Sequence, residues 1–449
     1  MRINDKRGVR KMKLQGTMTI NEGGHLCIGG CDTVNLVEKF GTPLYVMDEE
    51  HLRQICREYY QSFILKYPDN QVLYASKAFL TKAMAKIIKQ EKLGLDVVSG
   101  GELYTAIQAG FPPERLYFHG NNKSAAEIRK ALDCKIGRFV VDNFYELELL
   151  NDLCKERESK AKILLRISPG IEAHTHEYIR TGQIDSKFGM AISTGQALEI
   201  VQKALSLDYL DLKGIHCHIG SQIFEINSFC HAAEVMMEFL KKIKEETGRE
   251  LPELNLGGGV GIYYQEGDTP APISQFAELI MQTVREKAKE LKINTPKVII
   301  EPGRSIVGTA GTTLYTIGSI KHIPNIRTYV AVDGGMGDNP RPALYQAKYE
   351  AAVANKMQRE ATELVSITGK CCESGDMLIW DIKLPPLVSG DILAVSCTGA
   401  YNYSMSSNYN RLPRPAVVLV NQGQAELIVA RETYQDLVRN DLIPTRLDN

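Results

Sequence analysis

Three short stretches of the chain carry residue types that could together hold a reactive cofactor. VLYASKAF (72–79) places Lys77 at the end of an apolar run, where an amine beside a dry site can carry a carbonyl cofactor as a Schiff base. LNLGGGVG (254–261) puts three glycines directly after another apolar run, and their N–H groups can approach a phosphate closely. IIEPGRS (299–305) adds a carboxylate, Glu301, that can face a pyridine nitrogen. Together these groups predict a site for pyridoxal 5'-phosphate (PLP).

The elements that would position these residues form a regular alternation. Stretches with helical periodicity separate apolar runs, and continuous rather than alternating apolar runs are typical of buried parallel strands. Eight βα units in succession predict a (β/α)8 TIM-type barrel, the α/β part of the fold. The predicted strands are 72–78, 93–99, 116–120, 138–143, 161–167, 212–220, 253–259 and 297–303.

The pattern changes after residue 303, where short strand-like pieces recur between turn residues with few helical signals. This predicts a second, mostly β C-terminal domain, which the glycine-rich N-terminal segment is expected to join. The predicted domains are therefore a PLP-binding barrel over 44–306 and a β-rich domain made of 1–43 and 307–449.

Active sites of such barrels lie at the carboxyl ends of the strands. Burying many polar groups there without a use is costly, so their convergence predicts an active site. The polar or glycine residues at the predicted strand ends are Lys77, Ser99, His119, Asp142, Arg166, His218, Ser221, Gly257–Gly259, Glu301 and Arg304.

Composition excludes several other classes of function. With 53 basic against 54 acidic residues, the net charge of −1 offers no footprint for nucleic acid or an anionic membrane. The uncharged stretch 305–320 is too short and too polar to span a bilayer. The basic N-terminus has no apolar run behind it, so a cytoplasmic protein is expected. The ten cysteines show no paired C-x-x-C spacing, so no metal site is expected.

Six motifs resemble those of one enzyme family: YASKAF, HCHIGSQI, LGGGVG, EPGRSIV, CCESGD and TGAYNYSMSSNYN. In this order they are similar to the diaminopimelate decarboxylases, which are alanine-racemase-like (fold type III) PLP enzymes. The resemblance runs from about Gly41 to Leu419. The stretch 171–189 looks like the part specific to diaminopimelate.

The resemblance implies roles for individual residues around the cofactor. Lys77 would carry PLP, His218 would stack on one face of the ring with Asp96 as its support, and Glu301 would pair with the ring nitrogen. The residues implied to hold the phosphate are Ser221, Gly258, Gly259, Gly303, Arg304 and Tyr401.

The resemblance also implies a substrate site and a homodimer with shared active sites. Cys372 would be a second catalytic acid, and together with Glu373 it would reach into the active site of the other subunit. The residues implied to bind substrate are Arg304, Arg341, Tyr345, Glu373 and Tyr401.

The implied reaction converts meso-2,6-diaminopimelate to L-lysine and CO2, the last step of lysine biosynthesis. Whether Lys77 or Cys372 returns the proton to Cα stays open. Three alternatives also stay open: a decarboxylase of ornithine, arginine or an acyl-carrier-bound amino acid, a non-catalytic PLP carrier, and a metal-dependent barrel hydrolase using His216, Cys217 and His218.

Overall fold

The computed structural model describes residues 12–171 and 186–447, which divide into two compact units. The barrel unit contains the described residues of 53–263 together with 267–306. The β unit contains the described residues of 1–52 and 307–449 together with 264–266. Each unit is built around its own sheet.

The barrel unit contains a closed barrel of eight parallel strands, as predicted. Each strand pairs with the next along the chain, and Lys297–Ile300 pairs back onto Gln71–Ala75. A short strand, Met190–Ala191, adds to the fifth barrel strand. The eight strands are Gln71–Ala75, Gly94–Val97, Leu116–Phe118, Arg138–Val141, Ala161–Ser168, Leu210–His216, Glu253–Asn255 and Lys297–Ile300.

Most of the strands end before the predicted residue. The sixth, for example, stops at 216 rather than 220, and the seventh stops at 255 rather than 259. Apart from Arg166, which lies within the fifth strand, the polar and glycine residues therefore lie beyond the last ladder hydrogen bonds, in the loops where barrel enzymes carry their chemistry. Inside the barrel, one apolar side chain from each of five strands fills the interior: Leu73, Tyr117, Val140, Leu164 and Ile299.

Four of the barrel helices begin at polar residues that cap their first turns. Thr81, Ser99, Ser124 and Asn143 each accept a hydrogen bond from the backbone N–H three residues further along the chain. Ser99, one of the predicted mouth residues, is thus a helix cap. The helices are Glu49–Tyr59 with the π-helix Tyr60–Leu65, Lys82–Gln90, Gly100–Gln108, Ala125–Asp133, Phe144–Glu156, Gln196–Leu205, Ile226–Thr247, Ile273–Leu291 and Arg304–Val307; 3-10 turns are Ser76–Ala78 and Pro113–Arg115.

The β unit combines the N-terminal and C-terminal parts of the chain. Leu44–Asp48 pairs antiparallel with Gly311–Ile323 and parallel with Ala416–Asn421. The predicted barrel boundary at residue 44 thus differs from the compact units, in which this strand belongs to the β unit. The other strands are Thr19–Ile20, Leu26–Ile28, Cys31–Asp32, Arg327–Val332, Ala351–Val353, Glu363–Thr368, Met377–Leu384, Ile392–Ser396 and Gln424–Val429.

Short helices complete the β unit: the α-helices Thr33–Phe40, Arg341–Tyr345 and Tyr434–Val438, and the 3-10 turns Tyr403–Met405, Tyr409–Arg411 and Thr445–Leu447. Its core joins distant parts of the chain, since Met18 and Ile28 pack in one apolar cluster with Leu314 and Val418. Across residues 12–171 and 186–447, no helix is long and apolar enough to cross a membrane.

Candidate active site

A buried carboxylate, Glu301, follows the last barrel strand and is surrounded by hydrogen-bond donors. Asn255 Nδ2 donates to its Oε1 at 2.7 Å, and His216 Nε2 lies 3.1 Å from its Oε2. His119 Nε2 lies 2.9 Å from Oε1, although the two groups are not aligned as a hydrogen bond. His119 therefore acts mainly through charge, whereas His216 and Asn255 donate directly. The carboxylate has partners on both oxygens.

Electrostatics keep Glu301 ionised. Burial alone would raise its pKa, but His119 and His216 outweigh that effect and hold the pKa of Glu301 well below its usual range. Burial disfavours a charged His119, yet Glu301 and Asp96 overcome it and raise the pKa of His119. Burial lowers the pKa of His216 to about 4, so this ring is neutral near pH 7. The cluster thus pairs the ionised carboxylate with a neutral His216 and with a His119 whose pKa is raised.

Lys77 lies in the 3-10 turn that follows the first barrel strand, and its side chain is exposed to solvent while its neighbours Ser76 and Ala78 are buried. Its charge is felt by three groups of the barrel unit. It lowers the pKa of His218, for which burial is the largest cause, and it opposes the burial that raises the pKa of Asp96 to about 6 and of Glu102 to about 7. The amine therefore belongs to the same electrostatic neighbourhood as Glu301, which also acts on Asp96.

The glycines after the seventh strand lie too close to neighbouring backbone for any side chain. A Cβ on Gly258 would lie 2.0 Å from the carbonyl oxygen of Glu301, and a Cβ on Gly259 would lie 2.3 Å from that of Gly220. Gly259 also has φ +120°, a conformation that side chains rarely adopt. The Gly258 N–H donates to His218 Nδ1 at 3.3 Å, which links this loop to the end of the sixth strand.

Arg304 and Ser221 meet beside this loop. Arg304 is buried, and its Nη2 donates to Ser221 Oγ at 2.9 Å. Gly303 precedes it, and a Cβ there would lie 2.9 Å from Ala75 Cβ of the first strand. The structure thus brings the predicted phosphate residues Ser221, Gly258, Gly259, Gly303 and Arg304 to neighbouring loops of the barrel unit.

The remaining predicted barrel residues have structural partners of their own. Arg166 Nε lies 3.8 Å from Asp142 Oδ1, and its guanidinium stacks over the ring of Phe188 at 4.2 Å. The charge of Asp96 raises the pKa of His119, and its predicted support of His218 stays a prediction.

The predicted substrate residues of the β unit lie on three separate segments. Arg341 is buried at the start of its helix, where its Nη1 donates to Tyr264 Oη at 3.0 Å and to Tyr349 Oη at 2.5 Å. Tyr345 ends the same helix and is partly buried. Tyr401 has φ +62°, which is rare for a bulky residue and typical of constrained functional turns.

Cys372 and Glu373 are exposed on the turn 371–376. Asp376, which is buried, anchors this turn by accepting the Cys371 N–H at 2.8 Å and the Met336 N–H at 2.6 Å. The Cys372 N–H donates to Asn410 Oδ1 at 2.7 Å. The backbone of the turn is therefore anchored while both side chains stay exposed, and the Glu373 carboxylate accepts the Gly375 N–H at 3.3 Å.

Sequence reasoning missed several of these contacts. Asn255 had no signal beyond its place at the end of a strand, and Asp376 lay in a motif chosen for its cysteine. Of the described residues, only His119, His216 and Glu301 form a set of three possible metal ligands, with ligand atoms within 4.8 Å of one another. This set differs from the three residues of the metal-dependent hydrolase alternative, His216, Cys217 and His218. Burial raises the pKa of the Cys217 thiol to about 12, which disfavours the thiolate that would bind a metal.

The barrel unit fits PLP on the chemistry of its groups. The ionised Glu301 carboxylate suits a protonated ring nitrogen. The glycine loop has no room for side chains, which leaves its backbone N–H groups open to a phosphate. An accessible lysine amine shares their neighbourhood. The predicted stretch 171–189 lies mostly outside the described residues, since 172–185 are not among them.

Comparison with protein families gives one match that covers the barrel. Residues 50–308 match the family described as pyridoxal-dependent decarboxylase, pyridoxal binding domain. This range contains Lys77, the glycine loop and Glu301.

Characterised relatives align over nearly the whole chain. The diaminopimelate decarboxylase of Bacillus subtilis is 56% identical over 431 residues, which is 96% of this chain and 98% of that protein. The diaminopimelate decarboxylase of Synechocystis is 50% identical over 96% of this chain and 93% of that protein.

Solved structures are similar in fold as well. The diaminopimelate decarboxylase of M. jannaschii in co-complex with L-lysine has a TM-score of 0.91 at 38% identity, covering 96% of this chain and 99% of that one. That of Helicobacter pylori, also complexed with L-lysine, has a TM-score of 0.84 at 32% identity, covering 91% and 98%.

Proposed function

This chain belongs to the diaminopimelate decarboxylase family of pyridoxal-dependent decarboxylases, and from that premise we propose how its own residues divide the work. It is a PLP-dependent carboxy-lyase that converts meso-2,6-diaminopimelate to L-lysine and CO2, the last step of lysine biosynthesis. The observation that carries the proposal is the buried, ionised Glu301 at the end of the last barrel strand.

When bound, PLP supplies an electron sink for the pair of electrons left at Cα as CO2 departs. Glu301 holds a proton at the ring nitrogen, because an anion at that point favours the protonated ring. Lys77 supplies the amine that carries the cofactor. Ser221, Gly258, Gly259, Gly303, Arg304 and Tyr401 would hold the phosphate, and His218 would stack on the ring.

Arg341, Tyr345, Arg304, Tyr401 and Glu373 bind the two amino-acid ends of the substrate. An arginine fork suits a carboxylate, and Glu373 suits an ammonium group. Because an analogue without the matching charged group would leave such partners unpaired, the site favours diaminopimelate over ornithine. Lys77 and Cys372 are the two candidates for returning the proton to Cα.

We also propose a homodimer with shared sites, in which Cys372 and Glu373 serve the partner's barrel. Support comes from the exposed position of both side chains on an anchored turn. The adjoining groove of 810 Å³ is lined by both polar and apolar side chains, and the apolar ones include the exposed Leu364 and Trp380, which suits a protein contact. All ten cysteines are thiols rather than disulfides, which supports a cytoplasmic location.

We also propose that the chain divides into a PLP-binding domain over 44–306 and a β-rich domain made of 1–43 and 307–449.

The first experiment measures lysine release from meso-diaminopimelate by the purified protein with PLP, beside the LL-isomer and ornithine. We expect lysine from the meso form alone. Release of putrescine from ornithine at a comparable rate would replace the substrate assignment and leave the cofactor assignment standing.

The shared site is tested by mixing two impaired variants, Lys77→Ala and Cys372→Ser, after dissociation and reassociation. If each site takes Lys77 from one subunit and Cys372 from the other, random pairing restores about a quarter of the sites, because half the dimers are mixed and each holds one intact site. A mixture as inactive as its components would contradict the shared site.

A further inference from the structure

The cluster around Glu301 contains two histidines to which neither the motifs nor the proposed function gives a task. His119 follows the third barrel strand, and His216 is the last residue of the sixth. Both are buried, and their ring centroids lie 5.0 Å apart with the planes at 70°. Two polar rings in a barrel interior are costly unless their partners need them.

Their shared partner is the carboxylate. His216 Nε2 is within hydrogen-bond distance of Oε2 at 3.1 Å, while its Nδ1 is buried and has no partner in the described part of the chain. This arrangement places the ring proton of a neutral His216 on Nε2, because only that nitrogen faces an acceptor. His119 Nε2 lies 2.9 Å from Oε1, and the carboxylates of Glu301 and Asp96 raise the pKa of His119.

Asn255 completes the arrangement and connects it to the glycine loop. Its Nδ2 donates to Oε1 of Glu301 at 2.7 Å, and its Oδ1 accepts the Gly257 N–H at 2.9 Å. Contacts from three different strand ends therefore hold both carboxylate oxygens. A carboxylate held in this way has little freedom to rotate or to take up a proton.

We propose that His119 and His216 are positioning residues that keep the Glu301 carboxylate ionised and in one orientation, so that the apoprotein already distinguishes a ring nitrogen from a ring carbon. The inference rests on the proposed function, since Glu301 must face the ring nitrogen of PLP. His216 acts through its Nε2 hydrogen bond and His119 through its charge. The two residues therefore respond differently to substitution.

The test measures how tightly the apoprotein binds two probes, PLP and 1-deazapyridoxal phosphate, in which carbon replaces the ring nitrogen. The readout is the ratio of their dissociation constants, which cancels any general damage to the site. The wild-type protein should bind PLP more tightly. His216→Leu, which removes the donor at similar volume, should reduce this preference about tenfold, the scale of one hydrogen bond to a charged group.

His216→Gln restores an N–H donor and should recover most of the preference, whereas a purely steric role would give no such recovery. His119→Gln removes the charge and should reduce the preference by a similar factor. The matched control is His231→Leu on the barrel helix Ile226–Thr247, where the histidine is exposed, and it should leave the ratio unchanged.

The inference would be overturned if the ratio of dissociation constants kept its wild-type value in both His216→Leu and His119→Gln. This includes the case in which both probes bind more weakly by the same factor. The variant Glu301→Gln distinguishes failure of this inference from failure of the proposed function. If Glu301 faces the ring nitrogen, this variant should lose the preference for PLP over the deaza probe. A wild-type protein that shows no preference would instead refute the role proposed for Glu301. The variants alter different strands, so loss of folding in one leaves the other to decide.

Discussion

The barrel unit and the β unit each bury a carboxylate, and the two environments treat it in opposite ways. Glu301 in the barrel has histidine and amide donors around it and a pKa well below its usual range. In the β unit, burial raises the pKa of Asp338 to about 7, and the neighbouring acids Asp376 and Asp333 raise it further. Asp338 accepts hydrogen bonds from the Tyr315 hydroxyl and the Gly335 backbone N–H, so its contacts hold the loop 334–338 in place.

The comparison shows that burial alone does not decide the charge of an acid. At Glu301, the carboxyl ends of several barrel strands bring histidine and amide groups to one point, which favours the charged form. At Asp338, the partners are phenol, backbone and other acids, so burial dominates. Asp96 lies in the same barrel unit as Glu301, yet burial raises its pKa to about 6, so the partners of each acid decide its charge rather than the unit that contains it.

The largest expected difference between the two units concerns their catalytic groups. Lys77→Ala should lower lysine release by at least about 10³-fold, because the amine that carries the cofactor is lost. Cys372→Ser should lower kcat by about 10²-fold, the scale of one misplaced acid–base group. Steady-state kinetics measures both, and absorbance of bound PLP should change in the lysine variant alone. Equal losses in both variants would contradict this ranking.

Arg341 tests whether a buried cation of the β unit binds substrate or supports the fold. Arg341→Ala should raise KM by about 10²-fold through loss of a carboxylate partner, with the absorbance of bound PLP retained. Arg341→Lys keeps the charge but loses the fork, so an intermediate KM is expected. If Arg341→Ala instead lowers the melting temperature and loses PLP, its contacts with Tyr264 and Tyr349 are its main role.

The raised pKa of Asp338 should be visible in the pH dependence of the free energy of unfolding. Because the pKa of Asp338 is raised in the folded state, the folded chain binds the extra proton, and this stabilisation is lost as pH rises from about 4 through about 7. From pH 5 to 7.5, the free energy of unfolding of the wild type should fall by about 2 kcal/mol more than that of Asp338→Asn. Urea unfolding at several pH values checks this.

The control for this measurement is Asp152→Asn on an exposed face of a barrel helix, which should keep the wild-type slope. Parallel slopes for wild type and Asp338→Asn would mean that Asp338 does not take up a proton in this range. The contrast with Glu301 would then rest on the barrel alone.

The smallest expected effect compares helix caps in the two units. Ser124 and Thr433 each form a capping box, but the helix Ala125–Asp133 buries Ile128 and Ala131, whereas Tyr434–Val438 buries no side chain. Ser124→Ala should cost about 1 kcal/mol of stability, and Thr433→Ala close to none, because an unpacked helix adds little to the cooperative fold. Both should keep full activity. An equal cost would show that the C-terminal helix is part of that fold.

Much of the barrel follows from local patterns in the sequence. Eight apolar runs between helical stretches predict eight parallel strands, because strands buried on both faces have no polar side to alternate with. The predicted strand ends were less accurate, since an apolar residue such as Ile219 continues the run after the ladder has ended at 216. The polar residue Ser99 looked functional but caps a helix.

The sequence by itself determined the fold class, the family and the residues of the lysine, glycine and acid motifs, because each of these is a pattern of neighbouring residues. Only the tertiary structure decided that His119, His216 and Asn255 meet Glu301, since they come from strand ends that lie 182, 85 and 46 residues away in the sequence. The charge of a buried acid such as Glu301 depends on contacts of this kind. A carboxylate takes its pKa from whichever groups the folded chain places within a few ångströms, and a linear pattern does not record that distance.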